Sequence, residues 1–177
     1  MKPEFLNIIK DFAIQYKIDW RILYAILKKE SNASGFYKDG TIKERFEAHI
    51  FDGFIGVTNG AVKHPQLPGL DADWIKSHLG HQYRLISTSY GIAQIMGYWY
   101  PTLNYNSIDD MIDAWTASEE VQIRDFCLFC VRYNYGKFLV SLKDLDYPAI
   151  AKQYNCGGYK KNNYDTDLIK FVAEETL

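Results

Sequence analysis

At 177 residues the chain has the length of one domain, with no room for two of ordinary size. With 47% hydrophobic and 24% charged residues it is not a disordered chain, a collagen-like repeat or a coiled coil. Its net charge of −2, from 20 basic and 22 acidic side chains, sets up no field for nucleic acid or an acidic membrane, so neither is expected as a partner.

Phe5, Ile8, Ile9, Phe12 and Tyr16 recur at three- and four-residue intervals, which predicts a first helix with one buried face. Asp19 is placed to cap a second, running through Ile22, Leu23, Ala25, Ile26 and Leu27 to Lys29-Glu30. Ser31-Asn32-Ala33-Ser34-Gly35 is turn chemistry, and Asp39-Gly40 between Phe36-Tyr37 and Thr41-Ile42 predicts a small β-hairpin. Residues 53–70 hold Gly53, Gly56, Gly60, Pro65, Pro68 and Gly69 without usable periodicity and read as a long loop, a feature usually functional or mobile in a compact domain. Helices are predicted near 80–87 and 90–100. Ser107 with Asp109-Asp110 opens another, and Ser118-Glu119-Glu120 opens a long apolar one ending near Tyr135-Gly136. Asp146 before Pro148 starts a helix closing at Asn155, and a last one runs from about Asp165. The expected class is mainly α, a helical domain with one small β-hairpin.

No apolar run is long enough to cross a membrane, and no stable membrane insertion is expected. The N-terminal apolar stretch carries Lys10, Asp11 and Lys17 with no small-residue cleavage site after it, so no secretory signal is read there. Cys127, Cys130 and Cys156 are an odd count and read as reduced thiols of a chain made in the cytoplasm. Action outside the cell then requires release by lysis or dedicated export.

Four stretches carry candidate chemistry. Glu30 ends an apolar helix, where the helix dipole disfavours a negative charge and raises the proton affinity of a carboxylate. A general acid working near neutral pH needs that shift, although a solvated surface Glu is the plainer alternative. Glu47 follows the hairpin turn, which can return it to the mouth of the Glu30 helix. Two carboxyls in different environments on one cleft suit glycosidic cleavage. If this stretch is extended, Arg45 and His49 share a face with Glu47. Ser89-Tyr90-Gly91 with Gln94 reads as a helical cleft wall, and Gln153-Tyr154-Asn155 offers a ring and an amide at a helix end. The 14 Tyr, 10 Phe and 4 Trp exceed what a core this size requires and suit stacking on a polar, ring-shaped ligand.

Glu30-Ser31…Gly35-Phe36, Phe46-Glu47-Ala48-His49-Ile50-Phe51, Ser89-Tyr90-Gly91…Gln94-Ile95-Met96-Gly97 and Tyr154-Asn155…Gly158-Tyr159 resemble, in that order, the lysozyme-like superfamily of goose-type lysozymes and lytic transglycosylases. More narrowly they resemble the N-acetylmuramidase family of phage endolysins, over roughly residues 20 to 170. Two positions depart from the pattern: Tyr90 stands where many relatives carry Trp, and Cys156 where Gly usually follows Tyr-Asn.

The resemblance implies a mainly α, lysozyme-like fold over 1–177 as one catalytic domain, with no separate wall-binding module. It implies cleavage of the β-1,4 bond between N-acetylmuramic acid and N-acetylglucosamine, with Glu30 as catalytic acid and Glu47 as its partner. Ser89, Tyr90, Gln94, Tyr154 and Asn155 are then substrate-binding, peptidoglycan glycan strands are the partner, no cofactor or metal is needed, and a monomer is expected. A lytic transglycosylase using the same Glu30 is the nearest alternative, told apart by anhydro products. A zinc amidase acting on the peptide stem would draw ligands from His49, His64, His78, His81 and Cys156. Cys127-Leu128-Phe129-Cys130 reads as buried thiols in an apolar helix.

Overall fold

The computed structural model describes residues 2–55, 57–58, 61–62, 80–155 and 158–175. The fold is mainly α. Helix α1 (Pro3–Tyr16) buries Phe5, Ile9 and Ala13, and it stops where Lys17 turns left-handed at φ 56°. Helix α2 (Trp20–Ser31) begins at Asp19, whose carboxylate accepts the Arg21 N–H. Ile22, Leu23, Ala25, Ile26 and Leu27 are fully buried, making α2 the centre of the molecule. Truncating one of its large aliphatics to Ala leaves a cavity and costs about 2–5 kcal/mol.

The hairpin expected at Asp39-Gly40 is present as a single bridge between Phe36 and Ile42, with Gly40 at φ 84° and the Tyr37 N–H donating to Thr41 O. The chain continues into β1 (Glu44–Phe46), then α3 (Ala48–Ile55) and a two-residue pair of strands, β2 (Val57–Thr58) and β3 (Ala61–Val62). The expected 53–70 loop therefore starts with helix and a small hairpin. Its part from residue 63 lies outside the described residues.

After helical residues 80–86 (α4), the expected helix at 90–100 is absent. In its place stand β4 (Thr88–Tyr90), a turn, β5 (Ile95–Met96) and a 3₁₀ turn over Gly97–Trp99. β4 is the middle strand of an antiparallel sheet in the order β1-β4-β5, pairing Arg45 with Ser89 and Ser89 with Met96. The sheet wins over the helix because Gly91 and Gln94 take φ values of 71° and 49°, which a helix cannot hold. Gln122, a buried amide of a later helix, locks the turn: its Oε1 accepts the Ile92 N–H while its Nε2 donates to Trp115 O.

Helix α5 (Ile108–Ala117) opens with a reciprocal capping box between Ser107 and Asp110. Helix α6 (Glu119–Arg132) is capped by Ser118 and is followed by α7 (Lys137–Asp144), α8 (Tyr147–Asn155) and α9 (Tyr164–Glu174). α9 lies along α2, where Lys29 pairs with Asp167 and Lys28 with Glu174. Cys127 and Cys130 are free and buried in α6, and burial pushes the Cys127 thiol up to about 12. Cys156 lies outside the described residues. Among the described residues no helix is long and apolar enough to cross a membrane.

Candidate active site

The sheet, the end of α2, α6 and the end of α8 enclose a cavity of about 220 Å³ lined by Glu30, Arg45, Glu47, Ser89, Gln94 and Tyr154, with Asn155, His49, Trp99 and Tyr133 further round. Glu30 is the last residue but one of α2. Its neighbour Ser31 is buried and donates its hydroxyl to Ile92 O at 2.6 Å, while Lys43 Nζ donates to Ser31 O at 2.6 Å. The Glu-Ser step thus ties the helix end to the β4–β5 turn and sets where the carboxyl stands.

Glu30 is partly covered. Withdrawal from water raises its pKa from 4.5 to about 7, against the opposing pull of the Tyr164 hydroxyl, Arg45 and Lys29. Tyr164 Oη donates to Oε1 at 2.5 Å from a ring that is itself 1% exposed. The helix-end position at which the sequence placed the acid is present, and withdrawal from water is the largest cause of the shift.

Glu47 sits in a different environment on the same cavity. Oε1 accepts Arg45 Nε at 2.6 Å and pairs with Nη2 at 2.5 Å, and His49 Nδ1 stands 3.7 Å from Oε2. Arg45 and His49 flank it as expected, yet not by strand parity: His49 is in α3. Glu47 lies at the junction, its N–H donating to Ser87 O and its carbonyl accepting from Ile50 and Phe51 to start the helix.

Gln94 does not face water from a helix. Held left-handed in the β4–β5 turn, it donates Nε2 to Gly91 O at 2.9 Å and accepts the Ser89 hydroxyl at 3.0 Å on Oε1. Ser89 is 3% exposed and lines the cavity through that contact. Tyr154 also lines it, its hydroxyl donating to Ala93 O at 2.6 Å and its ring packed among Phe129, Phe138 and Tyr164. Asn155 Oδ1 accepts from Asn162 Nδ2 at 3.1 Å. The expectation for Tyr90 is corrected: its ring is 1% exposed, its hydroxyl donates to Leu85 O, and it does not line the cavity, because β4 turns it into the core.

Tyr164 and the aromatic wall of Trp99 and Tyr133 were not singled out in the sequence. Tyr164 lies 134 residues from Glu30, and no local pattern marks such a partner. The Trp99–Tyr133 edge-to-face pair, centroids 5.2 Å apart, needed the α6 fold to form. His64 and His78 lie outside the described residues, and among those described no group of three His, Cys, Asp or Glu is placed to hold a metal ion.

Known proteins give the arrangement its context. The N-acetylmuramidase family model matches residues 75–175, more than half of the chain, including Gln94, Tyr154, Asn155 and Tyr164 but neither Glu30 nor Glu47. Among solved structures the chain is similar to the crystal structure of the Burkholderia AP3 phage endolysin, with a TM-score of 0.71 and 26% identity. That match covers 93% of this chain and 67% of the endolysin's. No curated protein matches the chain.

Proposed function

We propose that this chain, which belongs to the N-acetylmuramidase family and is a peptidoglycan-degrading glycoside hydrolase, cleaves the β-1,4 bond between N-acetylmuramic acid and N-acetylglucosamine with Glu30 as general acid. The observation that carries this reading is the contrast between two carboxyls on one cavity. Glu30 is held near neutrality by desolvation, with a pKa of about 7, and Glu47 is held by the Arg45 guanidinium. Such a split in environment suits proton donation by one group and leaves the ion-paired one to face the developing positive charge.

In this mechanism Tyr164 occupies Oε1, leaving Oε2 of Glu30 to carry the proton to the glycosidic oxygen as the C–O bond breaks. As the N-acetylglucosamine departs with the protonated glycosidic oxygen, positive charge develops on the ring oxygen and anomeric carbon of the N-acetylmuramic acid left behind. Glu47 either stabilises it as an anion or accepts a proton from the attacking water. Gln94, fixed by Ser89 and Gly91, and Asn155, fixed by Asn162, present amide edges to the saccharide, and Tyr154 and Trp99 present ring surface. The whole chain acts as one catalytic domain, as a monomer, on cell wall reached after lysis or export.

Mass spectrometry of products from purified peptidoglycan tests it. Reducing muropeptides carrying one added water are expected. Anhydro ends would assign the chain to the transglycosylase route, in which the sugar's own hydroxyl replaces water, and freed stem peptides would assign it to amidase chemistry.

A further inference from the structure

Beside the Glu30–Glu47 cavity lies a second concavity of about 760 Å³, and the two share Trp99, Tyr133 and Gln153 as a common wall. Its rim is the junction of α6 and α7, where three consecutive residues go left-handed: Asn134 at φ 51°, Tyr135 at φ 54° and Gly136 at φ 81°. Glycine and asparagine tolerate that region, whereas tyrosine avoids it. Tyr135 adopts it and leaves its ring 99% exposed, so no packing within the chain offsets the unfavourable backbone. The turn is nevertheless built to stay: Asn134 Nδ2 donates to Gln153 Oε1 at 3.1 Å, and Tyr133 Oη donates to Gln153 O at 2.9 Å.

The same groove carries two exposed cations. Arg132 Nη1 donates to Thr102 O and Asn104 Oδ1, both neutral acceptors. Among the described residues neither Arg132 nor Lys152 has a carboxylate within ion-pairing distance, in a chain whose net charge is −2. Two exposed cations that no carboxylate of the described residues neutralises mark a place for an anionic ligand. The substrate supplies one. A peptidoglycan strand with a bond at Glu30 runs on past the cavity wall, and its N-acetylmuramic acid units bear peptides whose free carboxylates complement two cations.

We propose that this second groove binds the peptide stem of peptidoglycan, with its carboxylates against Lys152 and Arg132 and the Tyr135 ring laid over the stem. The inference rests on the muramidase reading of the adjoining cavity. It makes the enzyme a reader of stem-bearing glycan: a strand stripped of its peptides loses the contacts of the second groove.

The test is binding of two soluble probes to the full chain by calorimetry: the disaccharide N-acetylglucosaminyl-N-acetylmuramic acid with its stem tetrapeptide, and the same disaccharide without it. Exposed carboxylate–cation contacts are worth up to about fivefold in affinity each. The stem-bearing probe is expected to bind at least about fivefold more tightly, and Lys152→Glu and Tyr135→Ala are expected to bring the ratio towards one. Both sites are exposed, and a thermal melt confirms that the variants fold. No preference in the wild type, including no binding of either probe, overturns the proposal, as does a preference that survives both substitutions. Binding is read without bond cleavage, so failure here is distinguishable from failure of the muramidase reading, which shows in the product masses.

Discussion

Tyr164 and Glu30 are joined by a hydrogen bond of 2.5 Å that links the first residue of α9 to the last but one of α2. The phenol donates to the carboxylate, so it stabilises the ionised form and opposes the desolvation that raises the pKa of Glu30 to about 7. It also engages Oε1, one of the two carboxylate oxygens. In the proposed mechanism the last helix therefore acts on the acid through Tyr164, although it contributes no group to the reaction.

Tyr164→Phe separates these two effects. Without the donor the pKa of Glu30 rises further, so the alkaline limb of the kcat/KM profile, expected near pH 7 in the wild type, moves to higher pH. The plateau rate falls by about tenfold or more, since a hydrogen bond to a charged group contributes about 1.5–3 kcal/mol. A limb that stays in place, or moves down, contradicts the assignment.

Stability carries the same signature. A folded pKa raised from 4.5 to about 7 means that the native state binds more protons than the unfolded chain between those values, so stability is lost as pH rises through that window. The full penalty above pH 7 is about 3 kcal/mol. Glu30→Gln, a permanent stand-in for the protonated acid, is therefore expected to melt with the wild type at pH 4 and well above it at pH 8. Parallel melting curves across that range would show that Glu30 does not carry a raised pKa.

Glu47→Gln removes the anion but keeps the shape. Activity is expected to fall by about 10²-fold or more if the carboxylate stabilises charge or activates water. Arg45→Ala leaves the anion in place and, with Arg45 largely exposed, costs less, within about tenfold. Rates of peptidoglycan solubilisation measure both, and an ordering opposite to this one contradicts the anionic role.

Two glycines with the same backbone sign differ in what surrounds them. A Cβ on Gly91, at φ 71°, would lie 2.6 Å from Gln122 Oε1 and 3.1 Å from the Trp115 ring, whereas one on Gly40, at φ 84°, meets nothing within 4 Å. Gly40→Ala costs only the left-handed backbone, about 1 kcal/mol. Gly91→Ala adds displacement of the buried Gln122 amide from Ile92 and Trp115, for a total of about 3 kcal/mol or more. Chemical denaturation reads the difference, and equal losses would mean that Gln122 is not the lock on the β4–β5 turn.

What the sequence made legible was local. Asp19 and the Ser107–Asp110 box act within a turn of their helices, and both cap where expected. The Asp39-Gly40 turn and the helices from Ser118 and Asp146 likewise rest on nearest neighbours. The stretch 90–100 reads as helix because its apolar spacing fits either state, and strands with a 3₁₀ turn stand there instead. A side chain some 30 residues on, Gln122, decides between them by gripping Ile92, and with that decision Tyr90 goes to the core and Gln94 to the cavity. The flanking of Glu47 by Arg45 and His49 was anticipated for a reason the fold replaces, since α3 begins between Glu47 and His49. Tyr164 was out of reach altogether, because only the docking of α9 on α2 brings it to Glu30.

Whether Glu30 donates the proton that breaks the glycosidic bond is read most directly from the rate of peptidoglycan cleavage by Glu30→Gln. A positioned general acid contributes about 10²–10⁴-fold. A loss of at least that order is expected in a variant that folds and melts at or above the wild type. Retention of more than a tenth or so of the wild-type rate would contradict it and leave Glu30 a buried structural carboxyl.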